Sequence, residues 1–128
     1  MKGMKEKIAF YRCEVCGNMV ELIRSGGGQL VCCNKPMTKL EANTTDASGE
    51  KHVPVAEVKD GKIIVQVGST IHPMTEEHYI EWIALVTDDS VERIYLSPGD
   101  EPKAVFCEKP NSVVYEYCNL HGLWKADV

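Results

Sequence analysis

With 128 residues, 44% of them hydrophobic and 26% charged, the chain can fill one ordinary core and has room for at most a small appended module. A formal net charge of −5 argues against nonspecific nucleic-acid binding, which needs a dense Lys/Arg face. No run approaches the roughly 20 apolar residues of a membrane helix. The opening, MKGMKEKIAFYRCEVC, lacks the apolar stretch of a signal peptide, so a cytoplasmic protein is expected, in which six cysteines point to metal ligands rather than disulfides.

Charge is unevenly spread. Residues 1–39 carry seven Lys/Arg against three Asp/Glu, and residues 40–128 carry seven against sixteen, local balances of +4 and −9. Two units with these boundaries are predicted. An anionic substrate would be repelled by the second unit unless its site supplied local positive charge.

In chain order, Tyr11–Met37 reads as a knuckle (YRCEVCGN), a hairpin (VELIRSGGGQLV, turning at Gly26, Gly27 and Gly28) and a second knuckle (CCNKPM). So few apolar residues cannot build a core, and a metal would have to hold the unit together. The C-x-x-C pair of Cys13 and Cys16 can grip one ion, and Cys32 with Cys33 can complete a tetrahedron of thiolates, which selects zinc or iron. Because the second pair is adjacent, both can ligate only if the backbone bends there. A structural zinc knuckle fits the same spacing, whereas a disulfide between neighbours would be strained.

Residues 41–51, EANTTDASGEK, are polar and rich in turn formers and read as a linker and mobile loop. Then follow HVPVAEV, KIIVQVG, YIEWIALV, RIYLSPG, KAVFCEK and VVYEYCN, short runs rich in Val, Ile, Tyr and Phe with partial two-residue alternation. They predict an antiparallel, immunoglobulin-like β-sandwich, so the fold class is mostly β. Cys107, in KAVFCEK, reads as a small core residue, with a sensor thiol as the alternative; Trp82, Trp124 and Tyr115 read as packing.

The four histidines, His52, His72, His78 and His121, all lie in the second unit, each at an expected loop or strand end. Singly, each reads as a surface or satisfied polar residue. Jointly, an H-x5-H loop and a C-x-x-H from Cys118 to His121 are the clustering a metal site needs, with iron, copper or zinc suited to imidazole and thiolate. Blue copper is disfavoured, because four histidines exceed its requirement and no methionine follows Cys118.

CEVCGN, CCNKPM, GEKHVPV, HPMTEEHYIEWI and EYCNLHGLWKA, in this order, resemble the desulfoferrodoxin family of two-iron superoxide reductases over about residues 11–126. The resemblance implies a desulforedoxin-like module with one iron on Cys13, Cys16, Cys32 and Cys33. It implies a second iron with His52, His72, His78 and His121 around it and Cys118 on the axis. Superoxide would be reduced to hydrogen peroxide there, with Lys51 attracting the anion and ordering a proton-donating water, and Glu50 able to occupy the open position after oxidation. A small electron donor such as rubredoxin and a homodimer are implied likewise, with no nucleic-acid or membrane partner.

Overall fold

A computed structural model describes residues 8–46 and 52–128. The elements, in chain order, are β1 (Ala9–Arg12), β2 (Met19–Leu22), β3 (Val31–Cys32), β4 (Lys35–Pro36), β5 (Thr38–Lys39), β6 (Pro54–Lys59), β7 (Lys62–Val67), β8 (Ile80–Val86), β9 (Val91–Tyr95), β10 (Lys103–Cys107), β11 (Val113–Cys118) and β12 (Gly122–Asp127). No helix occurs among the described residues, and so none is long and apolar enough to cross a membrane.

The sandwich has one sheet ordered β10-β7-β6 and another ordered β12-β11-β8-β9, every pair antiparallel. Between them Ile63, Val65, Val67, Ile83, Leu85, Ala104, Phe106 and Val114 form the core, with Cys118 at its margin. The six sequence-derived runs each overlap one strand. The strand not foreseen is β12: its residues, GLWKAD, alternate too weakly to be read alone, yet they pair with β11 from Val113↔Asp127 to Cys118↔Gly122.

The four-stranded sheet is buried on both faces. Its second face carries Trp82, Ala84, Val86, Tyr115, Tyr117 and Leu123, and Phe10 of β1 closes over them. Burial on two sides explains why β8 and β11 are almost uninterrupted apolar runs rather than alternating ones. The N-terminal unit therefore lacks a core of its own and shares one with the sandwich. Across this contact Arg93 pairs with Glu21 and lies 4.6 Å over the Trp82 ring.

The hairpin expected to turn at Gly26–Gly28 is not formed. β2 pairs instead with β1, so the C-x-x-C knuckle itself is the turn, and β5 completes that sheet. Gly17, at φ +83°, supplies the left-handed residue that closes the knuckle. The part of the 41–51 segment that is described is held down: Asn43 donates its N–H to the Leu123 carbonyl (2.9 Å) and accepts from the Lys125 N–H (3.0 Å). Cys107 is exposed on β10, an edge strand, and not in the core, because Ala104 and Phe106 take the inward positions of that strand.

Glu116 is fully buried on β11, and neither carboxylate oxygen has a hydrogen-bond partner among the described residues. Burial first, and the Asp46 carboxylate second, push its pKa well above the usual 4.5. The folded chain thus binds this proton more tightly than the unfolded one, and stability is lost as pH climbs from about 4.5 towards the folded value. Glu116→Gln is therefore expected to melt higher than the parent near neutral pH, with the gap closing by pH ~4. Thermal melts across that range check it; a gap independent of pH would contradict it.

Candidate metal centres

The two candidate centres arise at turns that only certain residues can make. In the first, Cys33 and Asn34 both have positive φ, +51° and +65°, between the paired residues Cys32 and Lys35. That is the backbone a two-residue type I′ hairpin loop requires. It is also the bend that lets two adjacent cysteines serve one ion. Ligand atoms of Cys13, Cys16, Cys32 and Cys33 lie within 4.8 Å of one another. The Cys16 and Cys32 sulfurs are 3.6 Å apart. Thiolates bound tetrahedrally at about 2.3 Å would stand about 3.8 Å apart, so the cradle is metal-sized. Among the described residues no disulfide forms.

The sulfurs also show why an ion is needed. The Cys16 and then the Val15 N–H groups bring the Cys13 thiol down to about 6, whereas the Cys16 and Cys13 sulfurs push Cys33 up to about 12 and raise Cys32 too. One thiolate is welcome; further ones repel it. A cation at the centre relieves that repulsion by displacing the protons, so loading is expected to weaken by at least about tenfold per pH unit on acidification. Chelator competition at pH 6 and pH 8 measures this, and a pH-independent affinity would refute it.

The second cluster sits at one end of the sandwich, where β6, β8 and β12 begin and β7 and β11 end. His52 precedes β6, His72 and His78 lie on the β7–β8 connection, Cys118 ends β11 and His121 precedes β12. Ring centroids run 4.7 Å from His52 to His72, 4.7 Å to His78, 5.1 Å to His121 and 4.7 Å back to His52. The diagonal from His52 to His78 is 6.3 Å. Four nearly equal sides and a longer diagonal describe a square of imidazoles, neighbouring rings turned 66–81° to one another like blades.

Cys118, wholly buried, presents its sulfur 3.6 Å from His72 Nε2 and 3.8 Å from His121 Nδ1. Donor atoms of His52, His72, His78 and Cys118 fall within 4.8 Å of one another. His121 is joined to them by its ring contacts and by Cys118. His72 Nδ1 lies 2.7 Å from the Pro73 carbonyl, which can only accept, so Nδ1 carries the proton and Nε2 keeps the lone pair that ligates. The donor set, four imidazoles and one thiolate about a common centre, fits a transition metal such as iron.

Supporting residues went unread in the sequence. Trp124 is more than packing: its indole stacks on the His52 ring (4.7 Å, 13°) and its N–H donates to the His121 carbonyl (3.1 Å). Asp46 accepts the N–H groups of His52 (2.6 Å) and Val53 (2.9 Å) through one oxygen. A polar side chain just ahead of a candidate ligand was the available signal for Asp46. The stacking of Trp124 had none. Glu50 and Lys51, the expected catalytic pair, lie outside the described residues.

Residues 44–127 match the family model described as Desulfoferrodoxin, and residues 5–40 match that of the Desulfoferrodoxin N-terminal domain. A desulfoferrodoxin of Syntrophotalea carbinolica is 53% identical over 125 residues, covering 97% of this chain and 99% of its own. A superoxide reductase of Pyrococcus abyssi is 40% identical, covering 72% of this chain and 97% of its own. The crystal structure of the superoxide reductase from Treponema pallidum superposes with a TM-score of 0.76 at 30% identity, covering 93% of this chain and 97% of that one.

Proposed function

Because this chain belongs to the desulfoferrodoxin family, we propose that it is a superoxide reductase, converting superoxide to hydrogen peroxide without releasing oxygen. It holds two iron ions, one on Cys13, Cys16, Cys32 and Cys33, the other on His52, His72, His78, His121 and Cys118. The single observation carrying the reading is the square of imidazoles with one buried thiolate beside it. Five protein donors would leave an iron held here able to take a small anion as a further ligand.

Each turnover consumes one superoxide, one electron and two protons. When bound, the iron supplies the electron. The chain does the rest. Cys118, held at the end of a fully buried strand, delivers its charge from the protein side, while the exposed His121 marks the side that water reaches. Water access provides the protons and lets peroxide leave. Lys51 would offset the acidic surface for an incoming anion, and Glu50 would be the carboxylate able to cover the site once an iron held there is oxidised; both roles are supported by the resemblance of GEKHVPV, within the matched residues 44–127, to the family motif.

The same reading takes residues 1–39 as the four-cysteine module and residues 40–128 as the reductase domain, supported by the change in charge between them. Since an electron must arrive from outside at every turnover, a small redox protein such as rubredoxin is the expected donor. A homodimer is carried over from the family resemblance. Two centres built on thiolates are suited to the reducing cytoplasm.

Mixing the reduced protein with superoxide tests the function. About one peroxide per superoxide, with no oxygen, is expected; half that yield with oxygen release would mean dismutation, and no reaction would leave an electron carrier.

A further inference from the structure

We infer that Asn119 is a positioning residue for the second metal site, fixing His78 relative to Cys118; this rests on the ligand set proposed above. The β8–β11 ladder is irregular at its Cys118 end. Tyr117 opposes Trp82, but Cys118 opposes Ile80, so Glu81 is an extra residue that bulges β8. Beyond the bulge the chain after Cys118 must turn at once towards His121. The Asn119 main chain continues the ladder in one direction, its N–H donating to the Tyr79 carbonyl at 3.2 Å.

In the other direction the side chain takes over. Asn119 Oδ1 accepts the Tyr79 N–H at 2.9 Å, and Nδ2 donates to the Glu77 carbonyl at 3.0 Å. Glu77 and Tyr79 are the two neighbours of His78. One amide, forty residues away in sequence and covalently next to Cys118, thus grips the main chain on both sides of a ligand. From the other side Thr75 closes a turn on His78, with Thr75 N–H to the His78 carbonyl at 2.9 Å and the reverse bond at 3.2 Å. His78 is half-buried, so packing alone constrains it less than it does the buried His52 and His72.

Local turn chemistry explains the shape of the 75–78 turn. It does not explain where that turn sits against β11. Asn119 does, because its three bonds tie this turn to the residue that follows Cys118. A side chain that satisfies both donor and acceptor groups of one short segment is specific: alanine loses both bonds, and aspartate keeps the acceptor for Tyr79 but loses the donor for Glu77.

The test uses the full chain with both irons, the four-cysteine site serving as an internal standard. In Asn119→Ala the affinity of the histidine–cysteine site for iron should fall by about 10- to 100-fold, the range for loss of a residue supporting metal ligands. Its thiolate-to-iron absorption band and midpoint potential should shift, with the four-cysteine band and potential unchanged. Asn119→Asp should fall between. In metal-free protein the Tyr79 amide should lose hydrogen-exchange protection in the alanine variant. Parental affinity, band and potential in Asn119→Ala, even with a lowered melting temperature, would overturn the inference and leave a purely structural asparagine. Should the alanine variant not fold, parental values in the aspartate variant would overturn it equally. A parent chain lacking the second iron band would instead sink the ligand set, and undiminished Tyr79 protection in Asn119→Ala would then sink the clamp.

Discussion

Cys118→Ser is expected to cut the rate of superoxide consumption by at least about 100-fold, an effect of about 2.7 kcal/mol on the barrier. Serine preserves shape but not chemistry. A thiol ionises readily beside a metal, whereas a hydroxyl holds its proton far more tightly and offers a harder, weaker donor. The position allows no substitute: Cys118 is fully buried, and it touches both His72 Nε2 at 3.6 Å and His121 Nδ1 at 3.8 Å, so losing its charge disturbs the square from its centre. The strong visible absorption of the second site should disappear while that of the four-cysteine site persists. Superoxide pulses followed optically read both at once. A variant that retains the parental rate would remove Cys118 from the reaction.

Both centres were legible in the sequence because their ligands cluster at spacings that few other roles demand. Cys13 with Cys16, and His121 three residues after Cys118, are short-range patterns that survive without coordinates. The sheets were legible for the same local reason, each run of Val, Ile and aromatic residues marking one strand. What could not be read is mostly a matter of partners. Strand β2 was assigned to the wrong hairpin because Gly26–Gly28 looks like a turn, whereas the true partner, β1, is reached across the knuckle. Strand β12 has a poor pattern of its own and is defined by the long register it shares with β11.

Burial misled in a more instructive way. A cysteine within KAVFCEK was expected inside, but parity along β10 is set by Ala104 and Phe106, and Cys107 follows from them. Glu116 is the opposite case: an acidic residue in VVYEYC would ordinarily mark a wet face, yet β11 has none. The residues that hold ligands, Asp46, Asn119 and Trp124, act through main-chain groups or ring faces. Beyond the polar residue ahead of His52, such contacts leave no signal in the sequence.

Phe10→Ala should have the largest effect on stability, about 3–5 kcal/mol, the usual cost of emptying a buried phenylalanine site. Phe10 is 3% exposed, with ring centroids 5.4 Å from both Trp82 and Tyr115, and Arg93 6.0 Å above it. It is the buried residue that the N-terminal sheet contributes to the second core. Set against a total of about 5–15 kcal/mol for a domain, this loss should lower the melting temperature by about 10 °C or more. Its character matters as much as its size. The second core is built from β1, β8, β11 and β12 together, so neither part keeps its packing when the other leaves. Both iron absorptions should therefore be lost in one coincident transition, shifted down as a unit. If the four-cysteine absorption alone moved, with the histidine–cysteine site melting where it does in the parent, the module would be peeling away by itself, and the shared core would contribute little to holding the chain together.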